Sequence, residues 1–428
     1  MKVLIFGAPT SKGLQMINVR NRISGGGWVE NLVNELVSNE ELKIYSAFFC
    51  NAVSEIQTNI CDGVTYLALP TDRPKLDMCT PLMNRVLTQM IDQTKPDIVH
   101  IIGTEREYDL RLAQIAGFEN TVISITGLVY VCKKHYLGGI DKRAFKQLSI
   151  GDIYRRGGPI KQQKQFAVYG EHEKLLLKNA EYVMGRTTWD YACVKQINPN
   201  VEYIYCSEIL NPIFQKNKWD IKKTVRHRIF VSQASYPLKG FHKLLEAFPT
   251  ILKFYPDSEI VVAGPNILDD STLMARIKRT TYAKYLLKLI KKLNIPRGKI
   301  KCTGSLSADK MLEQYLSANV FVLPSAIENS PNSLGEAMSL GMPCVASCVG
   351  GVQDMLRDKV DGFIYPFDEP YMLAHYVCEI FNNDELAIKF GNSAAENAKE
   401  RFDPAKVMET TINTYKQIAS NQGDENEK

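Results

Sequence analysis

Short apolar runs recur along the chain, each closed by Gly, Pro or a polar cluster, and stretches of helical periodicity lie between them. Runs this short read as strands buried on both faces rather than as helices. In the first half they fall at residues 3–6, 43–49, 64–68, 97–102, 121–125 and 182–184, alternating with helical stretches such as 29–37 and 81–93. The second half repeats the pattern, with strands at 228–232, 259–263, 321–323, 345–346 and 363–365 and another ending at Cys302. Its helices are expected at 241–251, 331–340, 371–381, 385–401 and 404–419. Strand and helix in alternation predict an α/β fold of parallel sheets wrapped by helices.

At 428 residues with 45% apolar content, the chain can bury two cores. Residues 211–227, with Pro212 and a run of charges, read as the linker between a domain at 1–210 and one at 228–402. The polar end at 421–428 is expected to be disordered. No apolar run reaches membrane-spanning length, and Met1-Lys2 leads straight into the apolar residues 3–6, a strand start rather than a signal peptide. The expected location is the cytoplasm. Ten cysteines without a C-x2-C pair, scattered through apolar segments, suit reduced thiols better than disulfides or zinc.

The most informative stretch is 326–352. Ser330 is placed to cap a helix whose first residue is Pro331, and Leu334, Ala337, Met338 and Leu340 give it an apolar face. Gly341 stops the helix, Pro343 keeps it from resuming, and a strand closed by Gly350-Gly351 follows. In such a strand–helix–strand unit the helix start sits at the carboxyl edge of the sheet, where free N–H groups favour an anion. Asn329 to Ser333 are therefore placed to meet phosphate. A macrodipole contributes only ~0.3–1 kcal/mol per charge, so a diphosphate also needs a cation. Glu328 and Glu336, one before the helix and one inside it, can accept hydrogen bonds from sugar hydroxyls.

Glu328-x7-Glu336, then Ala337-Met338, Gly341-x-Pro343, a short strand and Gly350-Gly351, resembles the nucleotide-sugar site of family-four retaining glycosyltransferases. These belong to the glycosyl transferases group 1 and have the GT-B architecture: two Rossmann-like domains with parallel sheets facing across a cleft. The resemblance implies that Glu336 holds the ribose hydroxyls and that Glu328 lies near the transferred sugar and its phosphate. The backbone of Asn329, Ser330, Pro331, Asn332 and Ser333 would hold sugar hydroxyls and diphosphate. Lys239, in a Lys239-Gly240 pair, would contact the diphosphate, and the base would lie between Gly304 and Met311. Many relatives carry an arginine where Ser232 and Gln233 begin the loop here, so the second cation is sought elsewhere, with Arg186 as the candidate. A glycine-rich stretch common after the first glutamate is replaced by Asn329-Ser330-Pro331-Asn332, and a cleft histidine by Thr126-Gly127. The resemblance further implies an acceptor held by the first domain, a last helix at 403–420 crossing back to it, and no covalent protein intermediate. It implies no metal and no cofactor beyond the nucleotide diphosphate sugar as co-substrate, and no D-x-D triad is present.

In the first half, Gly25, Gly26, Gly27 and Trp28 open the helix at 29–37, where glycines let backbone amides approach a ligand closely. Neither G-x-G-x-x-G nor a Walker lysine pattern is present. In the resembled family a glycine pair here faces the cleft. His100, near a strand end before Gly103-Thr104, is either a cleft residue or a packed core histidine; Thr104 and Thr126 join the cleft candidates.

Residues 133–164 hold nine Lys or Arg against two Asp, with Tyr136, Phe145, Leu148, Ile150 and Tyr154 interspersed. This suits peripheral contact with an anionic bilayer face or a lipid-diphosphate acceptor, and equally a solvated helical face. No nucleic-acid recognition motif accompanies the charge, so nucleic acid is not an expected partner. Residues 271–301 carry ten Lys or Arg and no acid, on an amphipathic pattern that favours packing over a second membrane surface.

The function the resemblance implies is transfer of a hexose or N-acetylhexosamine from a nucleotide diphosphate sugar to a saccharide or lipid-linked saccharide, with cell-surface polysaccharide biosynthesis as the expectation for the class, in the cytoplasm and, if the basic stretch meets lipid, at the inner face of the cell membrane. A non-catalytic sugar-nucleotide binder and a cleft enzyme such as an epimerase or phosphorylase are the alternatives. Lys239 with both glutamates favours transfer.

Overall fold

Twelve of the fourteen described strands coincide with the short apolar runs in the computed structural model, which describes residues 1–17, 27–72, 78–154, 157–266 and 268–426; the strands Gln57–Cys61 and Glu202–Tyr205 are not among those expected. Backbone contacts divide the chain into two units: Met1–Val131 with Ala167–Leu210 and Phe402–Lys428, and Cys132–Phe166 with Asn211–Arg401.

The first unit carries β1 (Lys2–Phe6), β2 (Lys43–Cys50), β3 (Gln57–Cys61), β4 (Val64–Pro70), β5 (Ile98–Ile102), β6 (Thr121–Ser124), β7 (Tyr182–Gly185) and β8 (Glu202–Tyr205). They lie in the order β3-β4-β2-β1-β5-β6-β7-β8, and all pairs are parallel except β3 with β4. That antiparallel pair turns at Asp62-Gly63, both at positive φ (48° and 79°), the mirror-image turn that matches strand twist. Successive residues of the central strands point to opposite faces, so the sheet has two cores. Leu4, Phe6 and Ile101 pack with Met83, Leu87 and Met90 of the helix Pro81–Thr94. Val3, Ile5 and Ile98 pack with Val29 and Val33 of the helix Gly27–Leu36 and with Tyr415 and Ile418 of the last helix, Pro404–Asn426. That last helix does not fray at residue 421 as expected: it continues to Asn426, and the Asn421 amide donates to the Tyr182 hydroxyl at 2.9 Å.

The second unit carries β9 (Arg228–Val231), β10 (Glu259–Val262), β11 (Ile300–Cys302), β12 (Val320–Leu323), β13 (Cys344–Ser347) and β14 (Gly362–Tyr365), ordered β11-β10-β9-β12-β13-β14 and parallel throughout. This is the doubly wound order, and its connections reverse direction between β9 and β12. The basic helix Thr281–Lys292 buries Tyr282, Leu286 and Ile290 and leaves Lys284 and Lys288 exposed, so its apolar face is spent on the core.

Two expected boundaries shift. Residues 211–227 are docked rather than a free linker: Phe214 and Trp219 are buried, and the Trp219 indole donates to the Ala318 carbonyl at 2.8 Å. Residues 132–166, placed in the first domain by their position in sequence, group with the second unit. His242 Nε2 meets the Gly138 carbonyl at 2.7 Å, buried Phe145 faces Tyr285, and Asp152 accepts the Thr281 amide at the start of the basic helix. Among the described residues no helix is long and apolar enough to cross a membrane, and no disulfide links the ten cysteines.

Candidate active site

The carboxyl ends of β9 and β12 flank the point where the second sheet reverses, the position at which open α/β sheets bind ligands. After β9 the chain forms a short turn, Pro237–Lys239, then Gly240 at φ +66°, then the helix Phe241–Phe254. A Cβ on Gly240 would overlap the Pro324 carbonyl oxygen, so only glycine lets this turn abut the loop after β12. The Ala326 amide donates to the Leu238 carbonyl at 2.8 Å and fastens the two loops. Gly350, at φ +51°, allows an equally close approach to the Glu328 carbonyl, which accepts the Gly351 amide at 3.1 Å.

These approaches bring Lys239 Nζ to 2.6 Å from Glu328 Oε1, an oxygen that also accepts the Ser325 hydroxyl at 2.6 Å. Burial opposes the Lys239 charge, but Glu328 and then Tyr236 more than offset it, and its pKa lies above that of an ordinary lysine. The turn is backed from residues 132–166 by Tyr136, stacked on Tyr236 with centroids 6.2 Å apart.

The helix after Glu328 starts one residue later than the sequence suggests. Pro331 occupies the capping position, Asn332–Ser339 is helical, and the Ser330 hydroxyl turns to the Met355 sulfur at 3.7 Å instead of capping. Pro331 is itself extended, at φ −71° and ψ 112°, so the helix begins only after it and Ser330 lies one residue ahead of the cap. No side chain caps this helix. Asn329, Ser330 and Pro331 are buried, and Asn332 and Ser333 are partly exposed. Glu336 Oε2 accepts the Tyr315 hydroxyl at 2.8 Å, and the same hydroxyl lies 3.0 Å from the Ser333 carbonyl. Burial lifts the Glu336 pKa to about 7, against the downward pull of Tyr315. Tyr315 is fully buried, edge-on to Phe230 and Phe214. Sequence reasoning missed it, since one tyrosine at helical spacing carries no signal until its partner is known.

Beyond β10 and β11, Gly264 and Gly304 stand at φ +95° and +81°, joined by the Gly264 amide to the Gly304 carbonyl at 2.9 Å. A Cβ on either would meet nothing, so open space lies before this backbone. Met311 is partly buried in the next helix, Ala308–Ser317. Ser232 and Gln233 are half-buried after β9, where the Gln233 amide donates to the Ser235 hydroxyl at 3.1 Å.

Residues 213–400, which contain Lys239, Glu328 and Glu336, match the family described as glycosyl transferases group 1. This segment is a group 1 glycosyltransferase domain. Over 189 residues, 44% of each chain, the protein is 29% identical to an uncharacterized glycosyltransferase, MJ1607, of Methanocaldococcus jannaschii. It is 26% identical over 192 residues to a phosphatidyl-myo-inositol mannosyltransferase of Mycobacterium leprae, covering 45% of this chain and 46% of the relative. The chain spans about half the length of the curated relatives it matches. Among solved structures, sucrose-phosphate synthase from Thermosynechococcus elongatus superposes with a TM-score of 0.72 at 14% identity, covering 98% of this chain and 100% of that one. HepE of Anabaena in complex with UDP gives 0.62 at 15% identity, covering 97% and 100%. The glycosyltransferase domain thus forms part of a GT-B fold.

The candidates of the first unit fare differently from those of the glycosyltransferase domain. Gly26 lies outside the described residues; Gly27 begins its helix and is exposed. Arg186 stacks on partly exposed Trp28, 4.4 Å from the ring centroid, and pairs with Glu208 at 3.5 Å, with both members of the pair buried. A buried cation requires such a counterion, so the Arg186 charge is answered within its own unit. His100 is a core histidine, not a cleft residue: Nδ1 lies 2.6 Å from the Tyr415 hydroxyl and Nε2 2.7 Å from the Ser124 hydroxyl, and burial lowers its pKa to about 3. Thr104 is also buried rather than open to a cleft, donating to Glu173 at 2.6 Å, whereas Thr126 is exposed. Glu173 escaped the sequence reading. It accepts the amides of Val129 at 3.2 Å and Tyr130 at 2.8 Å, where the helix Val129–His135 begins, and burial lifts its pKa to about 8. Among the described residues no cluster of His, Cys, Asp and Glu side chains is placed to hold a metal ion.

Proposed function

We propose that this chain is a metal-independent retaining glycosyltransferase that moves a hexose or N-acetylhexosamine from a nucleotide diphosphate sugar to a saccharide or lipid-linked saccharide acceptor, in the assembly of cell-surface polysaccharide. The observation that carries this reading is the Lys239–Glu328 contact at the sheet reversal, with Glu336 on the helix that follows. The base rests in the open space before Gly264 and Gly304, the ribose hydroxyls donate to Glu336, and the diphosphate meets Lys239 and the uncapped helix start.

In the reaction the bond between the anomeric carbon and the phosphate oxygen breaks, and its electron pair leaves with the nucleoside diphosphate. The acceptor oxygen bonds to the anomeric carbon on the same face and passes its proton to the departing phosphate, so no sugar–protein bond forms. Lys239 faces the charge that grows on the leaving group, and Glu328 positions it and the sugar. Preorganised charge of this kind is worth several kcal/mol in a water-poor site.

HepE, of the same fold, is described with UDP and with UDP-glucose, which makes uridine diphosphate sugars the first donors to test. The experiment is donor turnover with a chelator present, with the product anomer read by NMR. Retained configuration, and a loss of about 10²–10³-fold in turnover for Lys239→Met, are expected. Inverted product, a requirement for added metal, or a trapped glycosyl-enzyme adduct would each overturn the mechanism.

A further inference from the structure

Seven large apolar side chains stand on the surface of two short segments of the second unit. Leu148, Ile150, Ile153 and Tyr154 belong to or immediately precede the helix Ile150–Tyr154, and Leu273, Met274 and Ile277 belong to the helix Leu273–Ile277; their exposures run from 37% to 73%. The segments are far apart in sequence but adjoin in space. A Cβ on Gly151 would overlap the Lys278 carbonyl oxygen, and Lys278 Nζ lies 5.2 Å from the Tyr154 ring centroid. Isolated exposed apolar residues need no explanation, but a contiguous group marks an interaction surface.

The fold holds this group out rather than leaving it loose. Asp152 and Ser149, both buried, hydrogen-bond to each other, and each accepts or donates to Thr281 at the start of the basic helix. Phe145, one turn earlier, is buried against Tyr285. The first segment thus spends its inward residues on the core and presents its outward ones to solvent, and the second, whose helix buries no residue, lies against it through Lys278.

The charge around the group identifies its partner. Lys142, Arg143 and Lys146 precede the first helix, Arg276 lies within the second and Lys278 follows it, and all five are exposed. Asp152, the acid carried by the first helix, is buried in its hydrogen bonds, Asp141 is paired with Arg143, and the second helix carries no acid, Asp270 before it being paired with Arg297. Apolar residues ringed by cations match an anionic bilayer, where the side chains enter the acyl boundary and the lysines and arginines meet lipid phosphate. A second copy of the same patch would bring like charges together, which opposes self-association through it. The fully packed basic helix Thr281–Lys292 takes no part through its apolar face.

We infer that Leu148–Tyr154 and Leu273–Lys278 together form an anionic-membrane docking surface on the second unit. The surface is independent of the transferase reading. The test is co-sedimentation of the full chain with vesicles of phosphatidylcholine alone and with about a third phosphatidylglycerol. Binding is expected only to the anionic vesicles, weakening as salt is raised. The double change Ile153→Asp with Leu273→Asp should lower affinity at least ~tenfold, and Lys146→Glu with Lys278→Glu should lower it while leaving the melting temperature unchanged. Absence of vesicle binding overturns the inference, as does binding that survives both double changes. So does a concentration-dependent dimer that Ile153→Asp disperses, which would assign the patch to a second copy.

Discussion

Replacing Tyr315 with Phe removes one oxygen from a fully buried site and leaves the ring packing intact. The lost hydroxyl is the donor to Glu336 Oε2 at 2.8 Å. A hydrogen bond to a charged group contributes roughly 1.5–3 kcal/mol, which corresponds to a shift of about one to two pKa units. Glu336 already sits at about 7, so the substitution should move it up to about 8–9. Ribose hydroxyls donate to the ionised carboxylate, so affinity for a nucleoside diphosphate follows the ionised fraction. That fraction at neutral pH drops from about a half to between a tenth and a hundredth, and affinity should fall roughly five- to fiftyfold. The sign is testable separately: wild-type affinity should rise with pH and level off above about 7, while the variant should recover to within about twofold near pH 9. Calorimetric titration of wild type, Tyr315→Phe and Glu336→Gln across this range decides it. Equal weakening of Tyr315→Phe at every pH, or a wild-type affinity flat through neutrality, would refute the reasoning.

Gly240→Ala should destabilise the chain by roughly 2–4 kcal/mol, because the methyl meets the Pro324 carbonyl at a left-handed backbone position; urea unfolding reads the loss, and a melt equal to wild type would contradict it. Arg186→Met should cost about 3–5 kcal/mol by stranding buried Glu208, with nucleotide affinity unchanged. Lost affinity at unchanged stability would instead make Arg186 a ligand cation. Glu173 binds its proton more tightly when folded, at about 8 against 4.5, so its contribution is complete below pH 4.5 and declines as pH rises to about 8, by up to about 1.4 kcal/mol per unit. Glu173→Gln should flatten that decline in denaturant titrations at several pH values, and an unchanged slope in the variant would refute it.

The second sheet was legible because its strands are uninterrupted apolar runs with glycine punctuation, and because Lys239-Gly240 and Gly350-Gly351 are glycine-dependent contacts that leave a trace in sequence. The strand Gln57–Cys61 was not legible, being polar and exposed on the edge, although Asp62-Gly63 marked its turn. His100 and Thr104 misled for one reason: strand ends lie near ligand sites, yet either side chain can turn inward to Ser124, Tyr415 or Glu173. The docking of residues 132–166 depends on partners such as His242 and Thr281, more than a hundred positions away, which no local pattern reveals.

The chain leaves the first unit after Val131, returns at Ala167, leaves again after Leu210 and returns at Phe402. A polypeptide emerging from the ribosome therefore has every strand of the first sheet by Tyr205 while one face of that sheet still lacks Tyr415 and Ile418. Residues 132–166 must likewise wait, with Phe145 uncovered, until Tyr285 has been made. The second unit has all its residues once Arg401 is made, whereas the first must wait for the last helix, and a fragment cut at residue 210 should expose two apolar faces and aggregate. Quality control in the cell sees a chain whose first-made half is the last to be completed.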